Sequence, residues 1–211
     1  MKVELIDKMG SDLSVVNAAR VSYDKQKTEF DDSDAKLIKY LADHNHWSPF
    51  AHASVQFRIE APIFVARQLV KHQVGLVWNE VSRRYVNDEP TFFEPHVWRA
   101  KPKNSKQGSG GVAESQYFPN LYYKDIHELA LASYKKMIIQ GIAPEQARMI
   151  LPQTMNTTWY WSGTLYAFAR VCNLRLEAHA QEETRFIAEE INYYCDKEFP
   201  HCWTHLLNVK S

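Results

Sequence analysis

The 211-residue sequence is poor in several of the features that mark common protein classes. It has no excess charge of either sign, with 25 Lys and Arg against 25 Asp and Glu. That balance argues against a general nucleic-acid binder, whose affinity comes from a broad basic field. Any anion site must instead come from a few cations converging locally. Charges interrupt every apolar stretch before it is long enough to span a membrane, and Met1 to Asp7 carries no apolar leader. Only three cysteines are present, Cys172, Cys195 and Cys202, and they form no metal-like cluster. A reduced, cytoplasmic compartment is the simplest reading. Glycine is scarce, and the Gly108-Ser109-Gly110-Gly111 run lies among prolines. It is not set between a strand and a helix as a dinucleotide-binding fingerprint requires.

What is present is a globular composition, with 45% hydrophobic residues, enough for a core in a chain of one-domain size. Residues 1–7 read as a short strand. Ser11 and the Asp31-Asp32-Ser33-Asp34 run each offer a helix start. Residues 53–60 alternate, with Val55, Phe57 and Ile59 to one side and Gln56, Arg58 and Glu60 to the other, the pattern of a half-buried strand. Pro62 suits a helical first turn, and the helix pattern runs to about Val74.

Residues 87–120 hold four prolines and read as a loop-rich insertion. After it comes a helix striped by Tyr122, Ile126, Leu129, Tyr134, Met137 and Ile138. A short helix at Pro144 and a strand at 154–161 follow. Ser162 is the expected cap of the next helix, and a long helix covers about 179–197. The class expected is α+β, a small, mostly antiparallel sheet with several long helices and no Rossmann unit, in a single domain over 1–211.

The densest polar region is Arg67-Gln68-Leu69-Val70-Lys71-His72-Gln73, followed by Asn79-Glu80-Val81-Ser82-Arg83-Arg84-Tyr85. On one helix Arg67 and Lys71 would share a face and repel by roughly 0.2–0.5 kcal/mol, a penalty that a bound anion removes. One carboxylate, one hydroxyl and two guanidinium groups then suit a phosphate and a hydrogen-bonding ring. A solvated basic helix with a structural ion pair fits the same residues. A second cluster, Asn173-Leu174-Arg175 through His179-Ala180-Gln181, joins two helices and could aim Arg175 into a cleft or leave it solvated. Arg148 is a weaker version of the same signal.

These residues resemble the flavin-dependent thymidylate synthase family. That family carries an Arg-His-Arg triplet followed by Asn-Glu-x-Ser-x-Arg-Tyr, matched here by Lys71-His72-Gln73 and then Asn79 to Tyr85. Further pieces resemble it in the same order. They are Ala18 to Tyr23, Ser48-Pro49-Phe50-Ala51-His52, Ala61 to Gln68, Ala147-Arg148, Leu151-Pro152 and Asn173 to Gln181. The triplet departs from the pattern: Lys71 lacks the planar fork of Arg, and Gln73 carries no charge.

The resemblance implies conversion of dUMP to dTMP, with methylenetetrahydrofolate as one-carbon donor and NADPH-reduced FAD as hydride source. It implies Arg175 as the cation facing the uracil ring, with His52 near the folate and flavin face. Gln68, Lys71, Glu80, Val81, Ser82, Arg83, Arg84 and Arg148 would bind dUMP together with Arg175. Ser54, Lys71, His72, Gln73, Glu80, Thr164, Arg170 and His179 would contact FAD. It further implies a homotetramer with shared sites, and no metal, nucleic-acid or membrane partner.

Two rival chemistries stay open at this level. His44, His46 and His52 beside Asp43, or His201 and His205 around Cys202, could bind zinc. Cys202 could also be the nucleophile of a classical, cysteine-based thymidylate synthase.

Overall fold

The computed structural model describes residues 1–86, 88–103 and 108–208. Four strands, β1 (Lys2–Met9), β2 (Ser54–Pro62), β3 (Leu76–Glu80) and β4 (Asn156–Thr164), form a sheet in the order β1-β2-β4-β3. Every neighbouring pair is antiparallel. The helices among the described residues are α1 (Asp12–Arg20), α2 (Asp32–Asp43), α3 (Ile63–Leu69), α4 (Tyr117–Ile139), α5 (Pro144–Ala147), α6 (Leu165–Arg175), α7 (Glu182–Glu198) and α8 (Pro200–Leu206). Among the described residues the architecture is α+β with no parallel βαβ unit, in line with the sequence pattern.

The core lies on one face of the sheet. Strand alternation turns Val55, Phe57, Ile59 and Ala61 of β2 inward with Trp159 and Trp161 of β4. They pack against Val65 and Leu69 of α3, Phe168 and Cys172 of α6, and Ile187 and Ile191 of α7. Phe168 meets Phe57 and Trp161 edge-on, each at 5.2 Å between ring centroids, a favoured aromatic geometry.

Both helix starts read from local chemistry are real. Ser11 caps α1, and the Asp31 carboxylate accepts from the Ser33 and Asp34 amides at the start of α2. Asp34 is fully buried but paired with Arg20 at 2.8 Å and Lys27 at 2.5 Å. Asp12 performs a distant capping role. Its carboxylate accepts from the backbone N–H of His201 and Cys202 at 3.0 Å each, closing the first turn of α8.

Four expectations need correction. The helix after Pro62 ends at Leu69, not near Val74, so Lys71-His72-Gln73 lies in a turn. Arg67 and Lys71 therefore share no helical face, and the chain goes on into β3, which the periodicity did not reveal. Gly75 makes this possible: its φ is +79°, and an added Cβ would stand 3.0 Å from Ala167 Cβ. Ser162 is a strand residue whose hydroxyl accepts from Gln56 Nε2 at 2.9 Å, and the cap of α6 is Thr164. The loop-rich stretch ends at Gln116, because Pro119 sits in the first turn of α4, where its missing N–H costs nothing. Finally, Tyr134 of the α4 stripe is buried, but Tyr122, Ile126, Leu129 and Ile138 face outward. The helix docks through Tyr134 and His127 and leaves most of its apolar side uncovered within one chain.

Candidate active site

The sheet positions two clusters of the expected residues at opposite ends of β3. The first is gathered where the Lys71–Gly75 turn touches the start of α6. Ser54 and Thr164 pair across β2 and β4, and the Thr164 amide donates to Gly75 O at 3.2 Å. His72, held in the turn by its amide bond to Leu69 O at 3.0 Å, accepts at Nε2 from Arg175 Nε at 3.1 Å. Accepting there requires a neutral imidazole with its proton on Nδ1. Burial, with the nearby Arg175 and Arg170 cations, pulls the His72 pKa down from 6.5 to about 4. Burial also lowers that of Arg175.

Arg175 ends α6 and opens onto a cavity of about 500 Å³ that Gln68, Gly108, His179 and Gln181 also line. Gln68 donates to Gln181 and accepts from Thr184 Oγ1 at 3.2 Å. His52 ends the 3-10 turn Ser48–His52, two residues before Ser54, and is exposed. Lys71, Gln73 and Arg170 are also exposed.

The second cluster lies at the far end of β3, four residue steps or roughly 14 Å along the strand. Glu80, Val81, Arg83 and Arg148 line a cavity of about 720 Å³. Glu80 accepts from Thr157 Oγ1 at 2.8 Å and from Trp78 Nε1 at 3.2 Å. Arg83 donates to Asp88 O. Ser82 lies beside this cavity, its hydroxyl accepting from Arg84 Nε at 3.2 Å, while the Arg84 guanidinium lies 5.0 Å over the Tyr85 ring. Arg148, in the 3-10 turn Arg148–Ile150, is exposed.

The expected site is thus brought together in two halves, with Arg148 and Arg175 lining different cavities. Arg58 and Glu60, which line the second cavity, were missed. Their signal was the polar side of the β2 alternation. Gln181 was also missed as a lining residue, although it sits in the same motif as Arg175.

The rival chemistries find no support in this geometry. All three cysteines are free and buried, and burial pushes the Cys202 thiol well up, so it stays protonated and a poor nucleophile. His201 stacks on Phe30 at 4.5 Å, and His44 donates from Nδ1 to Tyr40 O at 2.8 Å, both structural roles. Among the described residues no group of three or more His, Cys, Asp or Glu is placed to hold a metal ion.

His72 gives a pH-dependent prediction. Its folded pKa is depressed, so the unfolded chain binds the proton more readily. The contribution is fully present above about 6.5 and is lost as pH falls toward about 4. Denaturation midpoints of the wild type should therefore drop over that window more than those of His72→Gln. Parallel profiles would show that the His72 environment differs from the one described.

Fold and site together define a class: a non-Rossmann α+β protein with cation-bearing clefts suited to a phosphorylated ligand. Residues 4–201 match the family model described as thymidylate synthase complementing protein. The chain is 38% identical over 209 residues to the flavin-dependent thymidylate synthase of Thermus thermophilus, covering 97% of this chain and 76% of that protein. It is 36% identical to that of Kosmotoga olearia, covering 98% and 90%. Among solved structures, the UMP/dUMP methylase PolB from Streptomyces cacaoi bound with 5-Br dUMP superposes with a TM-score of 0.88. That alignment has 30% identity and covers 97% of this chain and 93% of PolB. The chain belongs to the flavin-dependent thymidylate synthase family. No helix among the described residues is long and apolar enough to cross a membrane.

Proposed function

We propose that this chain, acting as one domain over 1–211, converts dUMP to dTMP in the cytoplasm. Methylenetetrahydrofolate is the one-carbon donor, and FAD reduced by NADPH is the hydride source. The observation that carries this reading is the half-buried Arg175 guanidinium, held by a neutral His72 over a cavity lined with amides. Uracil must gain negative charge on its carbonyl-bearing face for its ring carbon to attack. A fixed, partly desolvated cation stabilises that charge without reorganising. A neutral His72 orients Arg175 and leaves its charge undiminished.

The donor set at the first cluster fits a flavin. The hydroxyls of Ser54 and Thr164, the His72 imidazole and the exposed cations Lys71 and Arg170 offer partners for ring carbonyls and a pyrophosphate. Gln73 and His179 complete that set; Glu80, expected at the flavin, lies at the other end of β3 and meets it only if a second subunit brings its Arg148 half there. FAD, when bound, supplies the hydride, and the protein supplies orientation and electrostatics. Arg170 and Lys71 provide the charge that Gln73 lacks.

Ser82, Arg83, Arg84 and Arg148 supply phosphate contacts, with Glu80 and Val81 shaping the wall. Gln68 orients the base from the Arg175 side, and His52 faces the folate. Ser82 is a binding group and not a nucleophile, since among the described residues its hydroxyl meets only Arg84 N–H donors and no base that could take its proton.

The two half-sites are completed by assembly into a homotetramer. Tyr122, Ile126 and Leu129 of α4, with Ile139 and Met149, leave an apolar surface of the kind that marks subunit contacts. In that assembly the Arg148 half of one subunit would meet the Arg175 half of another.

The test is to purify the protein, record its visible spectrum with and without added FAD, and follow dTMP formation from dUMP. Turnover should require both NADPH and methylenetetrahydrofolate. A colourless protein that takes up no added FAD would overturn the reading.

A further inference from the structure

The Glu80 carboxylate stands on the side of β3 where the strand pattern asks for an apolar group. Alternation sets Leu76, Trp78 and Glu80 on one face of that strand, and Val77 and Asn79 on the other. The first face looks onto the core. Trp78 stacks on the buried Trp159 at 4.4 Å between ring centroids and meets Trp161 edge-on at 5.5 Å. The backbone at Glu80 is held on both sides: Glu80 pairs with Trp159 in the ladder, and the Val81 amide extends the ladder to Thr158 O at 2.9 Å.

Two neutral donors hold the side chain, one on each oxygen. Oε1 accepts from Thr157 Oγ1 at 2.8 Å, and Oε2 accepts from Trp78 Nε1 at 3.2 Å. Thr157 is buried and comes from the neighbouring strand β4, whereas the Trp78 bond is exposed. One bond would let the carboxylate swing about a single oxygen, but two bonds to separate oxygens fix its plane. Each oxygen keeps a further lone pair, and a carboxylate only accepts. Glu80 and Thr157 both line the cavity that Arg83 and Arg148 share.

A nucleotide such as dUMP brings few donors to an acceptor of this kind. Its phosphate and ring carbonyls accept, and only its ring N–H and its sugar hydroxyl donate. The base lies with the Arg175 half, so the sugar hydroxyl is the donor left for the half that takes the phosphate.

We propose that Thr157 and Trp78 are positioning residues that hold the Glu80 carboxylate for the sugar hydroxyl of the nucleotide. The inference rests on the reading of this cavity as the phosphate half of the dUMP site. Without the Thr157 hydroxyl, Glu80 keeps only its exposed anchor and regains side-chain freedom that binding must remove again. The loss falls on the sugar contact, while the phosphate and base contacts are unchanged.

The experiment titrates dUMP and its dideoxy analogue ddUMP, which lacks the sugar hydroxyl, into the FAD-loaded protein by calorimetry. The wild type should prefer dUMP by roughly tenfold, the scale of one hydrogen bond to a charged group. Thr157→Val, which keeps the branched strand side chain, should cut that preference by about threefold or more with little change for ddUMP. Thr157→Ser, which keeps the hydroxyl, should recover it. Trp78→Phe, which retains a ring against Trp159, should act in the same direction, and it carries the test if the Val variant does not fold. The two changes combined should bring the preference down to that of Glu80→Ala, and on a Glu80→Ala background Thr157→Val should add nothing. Equal weakening of both nucleotides, a wild type with no preference, or a combined variant that keeps it would overturn the proposal.

If the unaltered protein binds neither nucleotide, the functional reading itself fails. The clamp is then read from the NMR signal of the Trp78 indole N–H. Thr157→Val must move that signal toward its position in Glu80→Ala, and an unmoved signal would overturn the clamp as well.

Discussion

Arg175→Ala is expected to lower the rate of dTMP formation by roughly 10²–10³, the usual consequence of deleting a preorganised donor at a developing negative charge. The effect should fall on kcat more than on KM for dUMP, because the charge on the ring is largest in the transition state. Arg175→Lys should recover only part of the rate, since a flexible point charge cannot both accept the constraint of His72 Nε2 and face the ring with a planar fork. A second readout is independent of turnover. His72 is held down first by burial and then by Arg175 and Arg170, so removing Arg175 should move its NMR titration up toward 6.5. An Arg175→Ala protein with unchanged kcat would remove the proposed electrostatic centre.

The second large effect concerns assembly. Arg148→Ala and Arg175→Ala should each be nearly inactive alone, the first through lost charge-assisted phosphate contacts, the second through lost charge stabilisation. Mixed by co-expression or by denaturing and refolding together, they should regain activity. If each site takes its Arg148 half and its Arg175 half from different subunits, random mixing gives about one intact site in four. If both halves belonged to one chain, every site would carry a defect and no activity would return. Rescue therefore discriminates between a shared and an intrachain site. The separation of the two cavities along β3 favours the shared one.

Features governed by a few neighbouring residues were the most legible. The caps at Ser11 and Asp31 depend on a side-chain oxygen meeting amides two or three residues away, and both helices begin there. The β2 alternation was readable because a strand with one buried face must alternate. Elsewhere tertiary contacts overrode local signals. The α3 helix gave no sign of stopping at Leu69, because Gly75 and its contact with Ala167 are what turn the chain into β3. The α4 stripe had the spacing of a core-facing helix. Spacing records that a face is apolar, not whether its own chain covers it, and here most of that face is open.

By itself, the order of motifs from Ala18 to Gln181 determined the family, and the pattern of apolar and polar residues determined an α+β class. Those properties are written in residue identity and near-neighbour spacing. Only the tertiary structure divided the candidate site into two clefts at the ends of β3, made His72 a neutral acceptor for Arg175, and joined Arg99 to Glu183 across 84 residues of chain. Such pairings depend on burial and on where distant segments meet, and both are fixed only when the whole core packs.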